Sequence, residues 1–213
     1  TGARVADLLT TTDNVTTHAG LASLYGTTAW DGTGTPPSFP TDQRAGLLTR
    51  AAFLVSGDEK TSPFHRGVVI RRDVLCDPLA PPDPATLPPD ALAPPPVDPT
   101  LTTRQRFTRK TDSPGCMACH RLFNDIGYVL ESYDSLGRHR REELVYDDSG
   151  ALVARLPLDT TAVPRIGEGP DEEKVISDPV ALSQEIARSG KAEACFARQY
   201  FRFTARRLED DPD

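Results

Sequence analysis

The chain is poor in sulfur and in aromatic rings. Its 213 residues include four cysteines, one methionine and one tryptophan, and Phe, Trp and Tyr together make up 7%. Four cysteines are too few for the disulfide scaffold that small secreted domains use in place of a core. A long apolar run is also missing, so no segment reads as a membrane-spanning helix. Positive charge is short as well. A net charge of -7 argues against nucleic acid as the main partner. Neither Met nor a signal peptide opens the chain at Thr1-Gly2-Ala3, and the expectation is a processed product or a piece of something longer.

At 38% hydrophobic and 26% charged, the remainder suits a soluble chain that can bury a core. Apolar spacing predicts short helices over residues 3–9 and 15–25, then a Gly- and Pro-rich loop around Trp30. Over 42–55 the apolar set Ala45, Leu47, Leu48, Ala51, Ala52, Leu54 and Val55 suits one helix with a broad apolar face. Ser62-Pro63 supplies an N-cap and a first-turn proline for a helix to about Cys76. Residues 77–99 hold ten of the twenty prolines. Such a stretch reads as extended polyproline II, either a linker between domains or a strap along one globule. The strap is the preferred reading, because neither flank alone offers a convincing core.

A basic helix starts at Thr102 or Thr103 and ends before Ser113-Pro114-Gly115. Another follows the cysteines to about Asp134, with Leu122, Ile126, Val129, Leu130 and Tyr133 on one face. Residues 144–146 and 151–156, split by Asp147-Asp148-Ser149-Gly150, read as a hairpin. Asp178-Pro179 opens a helix to Arg188. After Ser189-Gly190 a last helix over 192–208 carries Phe196, Tyr200 and Phe203 at helical spacing, an aromatic stripe read as core. The organisation expected is a helical segment 1–76, the strap 77–100, a segment 101–145 with the cysteine motif, and a hairpin plus terminal helices over 146–213, all in one globule.

Cys116-Met117-Ala118-Cys119-His120 is C-x-x-C-H, the attachment signature for c-type haem. Two thiols one helical turn apart can each add across a vinyl group on one porphyrin edge. The adjacent imidazole then meets the iron from the proximal side. A thioredoxin-like pair would need a preceding βα unit, whereas the residues here are basic, helical and closed by proline. Zinc needs about four ligands, and no second pair lies near. A plain Cys116–Cys119 disulfide is the bland reading for a chain made without haem-attachment machinery.

The run from His120 to Asp134, followed by Gly137-Arg138, resembles the planctomycete-type cytochrome c proteins, large secreted proteins built from several domains of unknown function. The likeness extends upstream through residues 21–26, 44–49, 61–67 and 75–77, and downstream through 194–196 and 200–206. Where that family usually has Asp-Pro, this chain has Asn124-Asp125, and without the proline the helix is expected to run on. The resemblance implies the haem-carrying, electron-transferring C-terminal part of a larger exported protein.

The expectation is therefore a mainly α, compact c-type haem module with a small β-hairpin and a proline-rich surface strap. It carries one haem c on Cys116 and Cys119, with His120 as proximal iron ligand. The only methionine, Met117, lies inside the motif, so the sixth ligand is sought among His65, then His139, then His18, with an open position as the alternative. Cys76 and Cys195 remain for a disulfide, since haem attachment implies a periplasmic or extracellular location; two buried free thiols are the alternative. Basic residues at 104, 106, 109, 110, 121, 138, 140 and 141 are candidates for the haem propionates, or a solvated face. Asp125, Glu131 and Asp134 read as caps or solvent contacts, with no nucleophile beside them. The partner expected is a redox protein or a subunit of a parent complex. The rival readings are a peroxidase-type haem enzyme with an open sixth position and a non-redox binding module stapled by haem.

Overall fold

Several helices begin where a polar side chain closes the first turn. The computed structural model describes residues 4–55, 60–147, 149–167 and 173–209. After α1 (Val5–Thr10), the His18 ring accepts from the Leu21 amide at 3.3 Å and caps α2 (Ala19–Leu24). The short α3 (Ala51–Leu54) precedes α4 (Pro63–Val69), where Ser62 caps and Pro63 takes the first helical position. α4 widens into a π-helical turn over Ile70–Val74. Thr102 and Gln105 form a reciprocal capping box at α5 (Thr103–Thr111). Next come α6 (Pro114–His120) and α7 (Asn124–Val129), the latter tightening into a 3-10 turn over Leu130–Ser132. β1 (Glu142–Tyr146) and β2 (Leu152–Pro157) pair as an antiparallel hairpin. Asp178 caps α8 (Pro179–Ser189), and Gly190 turns the chain into α9 (Lys191–Ala205). The chain is mainly helical with a small hairpin, as the sequence led us to expect. Of the expected elements, residue 3 of the first helix and Asp148 of the hairpin turn lie outside the described residues.

One hydrophobic cluster joins the two sides of the proline-rich stretch: Leu48, Leu54 and Ile70 meet Ile126, Leu130, Leu182 and Ile186, all fully buried. Each such side chain stabilises the fold by roughly 1.5–3 kcal/mol. Beneath them Arg66, 2% exposed, donates to the carbonyls of Leu54, Leu130, Tyr133 and Asp134 and pairs with Glu131 at 3.5 Å. The proline-rich residues are largely exposed and extended, apart from a 3-10 turn at Pro84–Thr86 and turns near residue 90. They touch α5 where Lys110 donates to the Asp90 carbonyl at 2.7 Å. Cys76 and Cys195 are bridged, with Cα atoms 5.3 Å apart, so the free-thiol alternative falls.

Four sequence expectations fail. Residues 42–55 are not one helix but a turn, a 3-10 turn at Leu47–Thr49 and α3. Gly46 breaks the run at φ +62, and a Cβ there would stand 1.9 Å from the Leu9 carbonyl oxygen, so α1 and this segment meet backbone to backbone. Helix in 15–25 is confined to α2, because residues before His18 are extended. The helix of the motif does not run on as one piece; it stops at His120, turns over 121–123, and restarts at Asn124. The aromatic stripe of α9 is not core: Phe196, Tyr200 and Phe203 are 51%, 61% and 83% exposed. The buried side of α9 is set by Ala192 and Cys195, and Phe196 lies about 100° around the helix from the bridged cysteine.

Candidate haem-attachment site

Ser113, Pro114 and Gly115 create the local geometry of the motif. Ser113 Oγ accepts from the Cys116 amide at 3.4 Å and Pro114 starts α6. Because α6 is a true helix, Cys116 and Cys119 share a face at a spacing of three residues. Both are exposed free thiols. His120 ends the same helix, and its ring is half-buried between Phe64 (centroids 4.5 Å apart) and Phe123 (4.8 Å). Phe107 meets Phe64 edge-on at 4.6 Å and completes the wall. Burial of the ring pushes the His120 pKa down, and the hydrogen bond with Asn124 partly opposes this.

A short relay fixes which ring nitrogen is available. Thr111 Oγ1 donates to the Phe107 carbonyl at 3.0 Å, so towards Asn124 it can only accept. Asn124 Nδ2 donates to it at 3.2 Å, which turns Oδ1 towards His120 Nδ1 at 3.0 Å. Nδ1 therefore carries the proton, and the Nε2 lone pair is left to bind a metal. Sequence reasoning missed Thr111, Asn124 and the phenylalanine wall. The only hint was that Asn124 follows His120 by four residues, at the position marked as a departure from the resembling family.

The wall is held by the crossing of α4 and α7. A Cβ on Gly127 would stand 1.9 Å from the Pro63 carbonyl oxygen, and one on Gly67 would stand 2.1 Å from that of Phe123. Both obstacles are backbone, so the helices must part. Gly127→Ala is expected to destabilise the chain by about 3 kcal/mol and to loosen Phe64 from His120. Chemical denaturation together with near-ultraviolet dichroism checks both; an unchanged midpoint rejects the crossing.

The other candidates are scattered. His65 is exposed on α4 beside Phe64, and its ring makes no contact with His120 among the described residues. His18 is spent as a cap, and His139 lies against Tyr133 at 5.8 Å. Of the basic residues, Arg104, Arg106, Arg138 and Arg140 are engaged with Asp159, Glu143, Asp134 and Glu131. Arg109 and Arg121 are exposed and stand outside the ion pairs of the described residues. Asp125 meets Arg165 at 3.4 Å, and Glu131 is buried between Arg66 and Arg140, so these carboxylates are structural. A cleft of about 1120 Å³ opens beside the hairpin, but none of its lining residues belongs to α6. Among the described residues no three His, Cys, Asp or Glu side chains converge as a metal site. Zinc needs such convergence, whereas haem needs thiols at its edge and an imidazole at its centre. The residues fit haem.

Comparison with known families finds a match over the same region. Residues 44–143 match the family model PSCyt3, protein of unknown function (DUF1588). The PSCyt3 match covers just under half of the chain, from Arg44 to Glu143, and takes in α4, the relay, both thiols and His120. No curated protein and no solved structure matches.

Proposed function

We propose that the chain is a c-type cytochrome module that holds one haem on Cys116 and Cys119, with His120 as proximal ligand, and transfers single electrons as part of a larger exported protein. The carrying observation is His120 itself: Nδ1 is committed to Asn124, which leaves Nε2 for iron, on the helix that exposes both thiols. When bound, haem supplies one-electron chemistry between ferric and ferrous iron. The chain's own residues do the rest. Phe64, Phe107 and Phe123 shield the imidazole and fix its plane. Arg109 and Arg121 offer guanidinium forks suited to propionate carboxylates. His65 is the proposed sixth ligand. A periplasmic or extracellular location agrees with the Cys76–Cys195 bridge, because disulfides persist in oxidising compartments. The electron partner is proposed to be another redox protein or another part of the parent complex.

One observation favours a second reading. The sole methionine lies within the motif and cannot serve as the sixth ligand, which suits a peroxidase-type enzyme with an open position. Reductive titration of the haem-loaded chain should follow a one-electron curve, with no peroxide turnover. Steady peroxide turnover and a ferric spectrum that responds to cyanide would replace electron transfer by the enzyme reading. An unchanged low-spin spectrum in His65→Ala would remove His65 as ligand.

A further inference from the structure

We infer that Thr111 and Asn124 are positioning residues that select the Nδ1–H form of His120 and, by offering a neutral acceptor, keep the imidazole a weaker electron donor than a carboxylate partner would make it. The inference rests on the haem reading above for its redox half and on the chain alone for its tautomer half.

Thr111 is 3% exposed and Asn124 4%, so neither can exchange its partner for water without opening the α5–α7 contact. The single hydroxyl proton of Thr111 goes to the Phe107 carbonyl, which dictates the orientation of the Asn124 amide. A flipped amide would set two oxygen acceptors against each other at Thr111 and aim an N–H at His120 Nδ1. It would also push the ring proton to Nε2, where it blocks a metal. Asn124 Oδ1 thus does for His120 what outer partners of ligating histidines generally do: it fixes ring plane and tautomer. A carboxylate there would draw the Nδ1 proton more strongly and make the ring a stronger donor to ferric iron. The amide holds the ring without that effect.

Long-range proton–nitrogen NMR of the haem-free, full-length chain, with His120 neutral, reads the tautomer directly. The wild type and Thr111→Ser should show His120 as the Nδ1–H form. Thr111→Val and Asn124→Leu should shift population towards Nε2–H, while Asn124→Asp keeps Nδ1–H. In the haem-loaded chain Asn124→Asp should lower the reduction potential and Asn124→Leu should raise it. An Nε2–H wild type, or a tautomer unchanged in both Thr111→Val and Asn124→Leu, overturns the inference, as does a potential that fails to fall in Asn124→Asp. A chain that never takes haem overturns the functional reading instead, and the tautomer result then decides the inference. Thr111→Ser keeps both contacts of the hydroxyl, and Asn124→Asp keeps an acceptor for Nδ1 while its other oxygen takes the Thr111 hydroxyl proton from the Phe107 carbonyl, so the test survives if the apolar variants do not fold.

Discussion

Arg66→Met is expected to unfold the chain at room temperature. The guanidinium is almost completely buried and satisfies four backbone carbonyls, at Leu54, Leu130, Tyr133 and Asp134, none of which a thioether can serve. Each orphaned carbonyl costs roughly 1–3 kcal/mol. Removing one partner of a buried ion pair costs about 3–5 kcal/mol, although Glu131 keeps Arg140 at 3.1 Å and Thr61 at 2.9 Å. The total loss is at least about 5 kcal/mol, comparable to the whole stability of many domains. Arg66→Lys keeps the charge but not the fork, so it should rescue only a small part. Far-ultraviolet dichroism during thermal melting checks this. A cooperative transition within a few degrees of the wild type would contradict it.

Loss of the Cys76–Cys195 bridge ranks next. The bond joins residues 119 apart in sequence and ties the π-helical turn to α9. Closing a loop of that length stabilises by about 4–5 kcal/mol on the chain-entropy account. The distal half of α9 is almost entirely exposed, so its attachment lies near its start, in the bridge, buried Ala192, the Lys191–Asp77 ion pair and the Glu193 contact with α1. Cys76→Ser with Cys195→Ser should lower the denaturation midpoint sharply and make α9 the first element open to protease. Because the double variant leaves Cys116 and Cys119 intact, haem attachment should survive in it. Equal midpoints with and without the bridge would reject its role.

Features written in short stretches of sequence were legible. Ser62-Pro63, Thr102 and Asp178-Pro179 each announce a helix start, and each caps one, whereas Ser113-Pro114 reads as the end of the preceding helix and in fact also caps α6. The hairpin and the C-x-x-C-H spacing were equally local. What escaped depends on contacts between distant segments. Gly46 breaks a well-patterned run because Leu9 occupies the space, and nothing within 42–55 encodes that. The stripe of α9 has the spacing of a core face, yet the bridge rotates it to solvent. The partner of His120 was invisible for a similar reason: Asn124 is oriented by Thr111, which α5 brings in from the other side of the motif. Arg66 reads as an ordinary surface arginine until the carbonyls it satisfies are seen together.

The claim on which the account turns is that Cys116 and Cys119 hold haem beside His120. Denaturing mass spectrometry tests it most directly, on chain produced in an exporting host that attaches haem. The account predicts a polypeptide heavier by one haem, a pyridine haemochrome spectrum of the two-thioether type, and no reaction of Cys116 or Cys119 with alkylating reagent. A bare polypeptide mass with both thiols alkylated, from the same host, would contradict it.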